Sequence, residues 1–175
     1  MKKTLAAGLL AVMALLLTGC GGNNDDQAAT AISNSIMKEQ KSSNQSSQFF
    51  SMDKKDADCI GKGLVDKIGT DQLQKYGVLT KDNKTKDDVT DVKMSDGDAK
   101  SATDVLFKCT DVEGMMQKAM DKSGNVPAAM KDCVNKVLTE DNLRAMFQKI
   151  FAGKQDEAQK ALVQPMMKCA MGNQG

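Results

Sequence analysis

The sequence predicts an all-α fold: a small helical domain stapled by disulfides and built from two related helical repeats, behind a signal peptide and a flexible tether. Three observations carry this. Apolar residues recur at three- and four-residue steps through most of the chain after Asp53, which is helical spacing, and no credible sheet pattern competes. Setting Cys20 apart leaves an even number of cysteines, Cys59, Cys109, Cys133 and Cys169. The short segments around those four recur in the same order in both halves of the chain.

The chain opens Met1-Lys2-Lys3, followed by Leu5 to Leu17, which is uncharged and apolar apart from Gly8. Thr18, Gly19 and Cys20 close the run. A positive start, a short apolar core and small residues at the exit describe a secretory signal. A bilayer-spanning helix needs about 20 apolar residues, and this run is shorter.

The exit Leu17-Thr18-Gly19-Cys20 resembles the lipobox of bacterial lipoproteins. The resemblance covers the first twenty residues or so and names no family for the rest. It implies a diacylglycerol on the Cys20 thiol, cleavage before Cys20 and acylation of the new amine, palmitate being a typical chain. Cys20 is thus the predicted lipidation site, and the covalent lipid is the only attached group expected. The implied address is the bacterial cell envelope. Gly21 rather than Asp follows the cysteine, which resembles an outer-membrane signal in cells with two membranes. Each buried CH₂ contributes roughly 0.8 kcal/mol, so two or three acyl chains hold a protein on a membrane where one binds reversibly.

The expected organisation is a signal peptide over 1–19, a lipid-bearing and partly helical tether over 20–48, and a helical domain over 49–175. In the tether, Gly21 to Gln27 reads as polar linker, and Ala28 to Gln40 as a short helix with Ala29, Ile32, Ile36 and Met37 on one face. Lys41 to Gln48 is a Ser/Gln-rich break. The leader over 20–48 is either flexible or a loosely docked helix, and the preferred reading is a mobile spacer lifting the domain off the bilayer.

The domain opens with a helix over Asp53 to Ile68, with Ile60, Leu64 and Ile68 in register, weakened by Gly61 and Gly63 and ended by Gly69. Thr70 is read as the cap of a short helix that Gly77 stops. Thr80 to Asp98 has no helical period and reads as a long surface loop with room for a short hairpin. Ala99 to Asp121 reads as one helix, with Ala102, Val105, Leu106, Cys109, Val112, Met116 and Met120 inward. Ser123 to Asn125 breaks it, and Pro127 suits the first turn of a helix over Val126 to Leu138. Thr139 caps the next, with Leu143, Met146, Phe147, Ile150 and Phe151 inward and Gly153 at its end. The last helix spans Asp156 to Met171, with Ala158, Ala161, Leu162, Met166 and Cys169 inward and a kink or break at Pro165.

Four cysteines allow three pairings, and an exported address favours disulfides. "DCIGKGL" from Asp58 resembles "DCVNKVL" from Asp132, "TDQL" from Thr70 echoes "TEDNL" from Thr139, and "FKC" ending at Cys109 resembles "MKC" ending at Cys169. Repeat one is placed at about 53–122 and repeat two at about 126–171. If each repeat carries its own bridge, Cys59 pairs with Cys109 and Cys133 with Cys169, across 50 and 36 residues. Loops of that length contribute on the order of 3–4 kcal/mol each in the entropic account. The runner-up pairing is 59–133 with 109–169.

Composition limits function. The chain has no histidine, which removes the commonest general base and metal ligand. Lys2 and Lys3 leave with the signal, so 22 basic side chains of the 24 face 23 acidic ones. A near-neutral domain without basic patches argues against nucleic acid as a partner. The cysteines are too widely spaced for a structural zinc site. Met115, Met116 and Met120, and Met166, Met167 and Met171, offer thioethers, but half of them fall on apolar helix faces and read as core. Asp87, Asp88, Asp91, Asp96 and Asp98 lack calcium-loop spacing and read as a solvated loop. The expectation is a non-enzymatic binding or interaction module, tethered to the membrane by its lipid, with an envelope protein or small ligand as partner and no catalytic residue or metal site. The alternatives are a metal handler using Met or Asp clusters, and a structural spacer or assembly factor.

Overall fold

The computed structural model describes residues 23–42, 52–86, 92–122 and 128–171. The predicted signal peptide, Cys20, the break over 43–48 and the turn over 123–125 lie outside the described residues. Eight helices run α1 (Asn23–Ser42), α2 (Lys54–Ile68), α3 (Thr70–Lys75), α4 (Asp96–Cys109), α5 (Val112–Lys122), α6 (Ala128–Val137), α7 (Glu140–Phe151) and α8 (Gln155–Met171). Among the described residues there is no strand, and one isolated antiparallel bridge joins Leu79 to Thr85. The fold is all-α and disulfide-stapled. Cys59 bonds Cys109 and Cys133 bonds Cys169, with Cα atoms 5.6 and 5.5 Å apart.

The main helices pack as a row, α1 on α2, α2 on α4, α4 on α7, α7 on α8 and α8 on α6. One staple joins α2 to α4 and the other joins α6 to α8. Each half therefore runs Cys-bearing helix, shorter or middle helix, Cys-bearing helix, as the repeat predicts.

The first correction concerns the tether. Residues 23–42 are not a mobile spacer and Gly21 to Gln27 is not all linker. The helix begins at Asn23, with Asp25 and Asp26 in its first turn where the helix dipole favours acids. Its apolar stripe is docked: Ala28 is 0% and Ile32 5% exposed, and Ser33 is buried beside them. Helix α1 lies antiparallel on α2, with Thr70 bonded to Asp25, Ser33 to Asp58, and the Met52 amide to Gln40. Gly61 makes the approach possible, because a Cβ there would collide with the Ala29 carbonyl oxygen. Gly63 does the same on the neighbouring face, where a Cβ would sit 2.7 Å from Val105 Cγ1 of α4. Both glycines lower helix propensity and are kept for close packing.

Other elements shift in detail. Thr70 is the first helical residue of α3, whose N-cap is Gly69, and its hydroxyl serves Asp25 instead of a cap. Helix α4 starts at Asp96, before the expected Ala99, because Ser95 accepts the Asp98 amide as N-cap. The single helix expected over 99–121 is two. Thr110 adopts extended backbone (φ −139°, ψ 148°), and its amide and hydroxyl both donate to the Leu106 carbonyl. The Asp111 carboxylate then accepts the Gly114 amide and opens α5. Helix α8 passes through Pro165 without interruption, and Ala161, expected inward, is exposed. Thr139 caps α7 as expected, and Asp53, expected as the first helical residue, is instead the N-cap of α2.

Two apolar clusters form the interior. The first joins Ala28 and Ile32 of α1 to Val65, Leu73, Leu79, Met94, Ala99 and Ala102. The second holds Val112, Val134, Leu138, Leu143 and Cys169, with Met116, Met120, Met146, Met166, Phe107 and Phe147 half-buried around it. Flexible methionine side chains fill space there, alongside the edge-on pair Phe107–Phe147 at 6.0 Å.

Candidate interaction surface

The amino end of α1, the first turn of α3 and the turn over 80–83 enclose an open hollow of about 1040 Å³. Its floor is built by Asn83, a buried residue in left-handed backbone (φ 55°), a conformation that asparagine tolerates better than most side chains. The turn is tight: the Asn83 amide donates to the Thr80 carbonyl at 3.0 Å, and the Thr80 amide donates to the Lys84 carbonyl at 2.7 Å. The Asn83 side chain accepts from Gln74 Nε2 at 2.8 Å and donates to the Asn24 carbonyl at 3.4 Å. One asparagine thus ties α3 to the start of α1. Thr70 Oγ1 donates to Asp25 at 2.5 Å on the same wall.

The rim carries both charges. Asp71, Lys75, Lys81 and Asp82 are exposed there and take no ion pair among the described residues. Elsewhere many charges are paired along or between helices. Lys54 holds Asp58 at 2.8 Å, Lys100 holds Asp104 at 2.6 Å, and Lys154 holds Asp96 at 2.9 Å. These pairs keep the charges in place. Lys54, then the Ser33 hydroxyl, holds the Asp58 carboxyl below the usual carboxylate value. The hydrogen bond from Lys100 does the same for Asp104, helped by Arg144, and Asp96 holds the Lys154 ammonium above its usual value. Such shifts stabilise the groups in their ordinary charged forms, a structural pattern and not that of a poised acid or base.

A second, more enclosed recess of about 390 Å³ lies between α2 and α4, floored by the Cys59–Cys109 bridge, Gly63 and Val105. Lys62, Lys67 and Lys108 surround it together with Asp66 and Asp104.

The residues singled out in the sequence scatter. All four domain cysteines are bonded to one another. Met116, Met120 and Met166 pack against the second cluster, whereas Met167 is 51% exposed, so the paired methionines point apart. The Met171 side chain, like Asp87, Asp88 and Asp91, lies outside the described residues. Asp96 is taken by Lys154, and Asp98 accepts from Tyr76 Oη at 2.6 Å and from Ser95 Oγ at 3.0 Å. Among the described residues no three acidic or cysteine side chains gather as a metal site. The hollow was missed in the sequence because Asn24, Thr70 and Asn83 meet only through folding. The single local hint is the polar turn "TKDN" from Thr80.

No family model, no curated protein and no solved structure matches the chain.

Proposed function

We propose that this chain is a lipid-anchored protein of the bacterial cell envelope whose helical body acts as a non-catalytic binding module. The observation that carries the reading is the division of the five cysteines. Four are paired within the body, which suits an oxidising compartment, and Cys20 stands apart at the end of the apolar run from Leu5. The lipid on Cys20 is the membrane link, and an outer-membrane address follows from Gly21 where the cell has two membranes. The hollow at the amino end of α1 is the candidate binding surface, because its rim charges are exposed and unengaged while its walls are braced by Asn83 and Thr70. A metal-handling role draws little support, since the inward methionines serve packing and Asp96 and Asp98 hold Lys154 and Tyr76.

The test is the mass of the mature protein extracted from envelope membranes. The expected amino terminus is Cys20 bearing diacylglycerol, and Cys20→Ser should move the protein to the soluble fraction. A mature chain with an unmodified Cys20 thiol sinks the anchor. Cross-linking in intact membranes then identifies what the hollow meets.

A further inference from the structure

The position of α1 turns an anchor into an orientation. A mobile segment over 20–48 would hold the body off the bilayer by roughly 30 Å, the root-mean-square span of a flexible chain that long. The docked helix removes that slack. From Cys20 to Asn23 there are three Cα–Cα steps, so the two Cα atoms lie within about 11 Å whatever the intervening backbone does. Asn24, on the rim of the hollow, is one step further, within about 15 Å. Helix α1 cannot lengthen the leash without exposing Ala28, Ile32 and Ser33 and breaking the Thr70–Asp25 and Ser33–Asp58 bonds.

We propose that the hollow bounded by α1, α3 and the 80–83 turn rests on the headgroup layer of the anchoring membrane, with zwitterionic phospholipid headgroups as its occupants. The proposal rests on lipidation of Cys20. Geometry favours it, because the short leash keeps Asn24, on the rim of the hollow, within about 15 Å of the lipid-bearing residue. The headgroup region adds only about 5–7 Å beyond the hydrocarbon on each side, which is within the leash. Chemistry favours a headgroup bearing both signs. Lys75 and Lys81 suit its phosphate, Asp71 and Asp82 its ammonium, and none of the four is engaged by another described residue. An open hollow is a weak binder in free solution, but tethering raises the effective concentration of headgroups to the millimolar range or above, where weak contacts suffice.

The test uses the full lipidated protein in phosphatidylethanolamine-rich vesicles carrying headgroup-linked nitroxide. A fluorophore is placed through Lys84→Cys beside the hollow, or through Lys55→Cys, thirteen residues before Ile68 along α2 and so about 20 Å away. The lipidated Cys20 and the disulfides leave the new thiol as the labelling site. Quenching at position 84 should exceed that at position 55 several-fold. A 20-residue Gly/Ser insertion between Gly22 and Asn23 should erase the difference while lipid remains on Cys20. Lys75→Glu with Lys81→Glu, both on exposed side chains, should at least halve quenching at position 84. Equal quenching at the two positions in the uninserted, lipidated protein overturns the proposal. No effect of the double charge reversal overturns headgroups as the occupant. Absence of lipid on Cys20 by mass removes the anchor reading, and this proposal with it, and is read separately from the quenching.

Discussion

The two stapled halves start from nearly the same heptapeptide and end in different packing. Asp58 to Leu64 aligns with Asp132 to Leu138, so Ile60 matches Val134, Gly61 matches Asn135 and Gly63 matches Val137. Ile60 and Val134 are buried alike, at 6% and 5% exposure. The two glycines are where the halves part. Gly61 lets α1 lie against α2, and Gly63 lets α4 close on it, whereas Asn135 is exposed and Val137 fills its own core. The first half thereby gains a covering helix and a cluster of eight buried residues. The second half supplies four of the five buried residues in the other cluster, Val112 coming from α5, and half-buried Met and Phe from both halves rim it. One shared motif supports two outcomes because the size of two side chains decides which surface a neighbour can approach.

The comparison can be broken most forcefully at the disulfides. In the entropic account, loops of 50 and 36 residues differ by only about 0.3 kcal/mol. Any larger asymmetry reports packing. Replacing Cys133 and Cys169 together by Ala should cost about 3–5 kcal/mol, more than replacing Cys59 and Cys109, because Cys169 is 3% exposed within the second cluster. Urea unfolding of the two double variants decides this. Equal losses would mean that burial of Cys169 adds nothing beyond loop closure. Under mild reductant, timed alkylation should find Cys59, the exposed partner, before Cys169.

Swapping the marked position comes next. Gly61→Asn should lose about 2–3 kcal/mol by driving α1 from α2, with amide exchange rising across residues 23–42. Asn135→Gly should change stability by less than about 0.5 kcal/mol, the propensity difference alone. Comparable effects at both sites would show that α1 docking does not rest on Gly61.

The junction between halves is a smaller target. Arg144 of α7 meets Asp104 of α4 at 2.9 Å and its own Glu140 at 2.7 Å, and its guanidinium sits 4.4 Å above the Phe107 ring. These contacts are largely solvent-exposed, so Arg144→Ala should cost about 1 kcal/mol, shared between ion pairs and the ring contact. A loss well beyond that in thermal unfolding would mean the halves are held together mainly through this residue.

The smallest effect is on pH. The carboxyl of Asp58, which secures α1 through Ser33, is held below the ordinary value of 3.8. Its contribution is complete above 3.8 and is lost as pH falls through the lowered value, so acid loosens the first half. Lys154, which secures α8 to the start of α4 through Asp96, is held above 10.5. Its contribution is complete below 10.5 and is lost as pH rises through the raised value, so alkali loosens the junction between halves. Asp58→Asn should flatten the acid limb of a denaturation series and leave the alkaline limb unchanged. Both pairs are exposed, and both slopes should be shallow.

Local pattern carried the elements whose forces are local. Asp53 and Thr139 announce helix starts because a side-chain oxygen three residues upstream of an amide is a local bond. The split at Thr110 was also written locally, since Asp111 stands three residues before Gly114 and accepts its amide. Continuous apolar spacing from Ala102 to Met120 outweighed it. Ser95 with Asp98 was a capping pair hidden in a stretch dominated by charge. The docking of α1 is not fixed by local pattern, because its apolar stripe is short and Gly61, the glycine that receives it, lies over thirty residues beyond Ala29.

By itself, the sequence determined the all-α class, favoured the observed cysteine pairing over 59–133 with 109–169, and placed Met116, Met120 and Met166 inward. Helical period, chain order and side-chain polarity are properties of residues near one another along the chain. Only the tertiary structure decided that residues 23–42 belong to the body, that Gly61 and Gly63 are contact points, and that Asn24, Thr70 and Asn83 shape one hollow. Those facts depend on which surfaces meet. That choice is made by excluded volume between distant backbones, where one Cβ at Gly61 would keep α1 away.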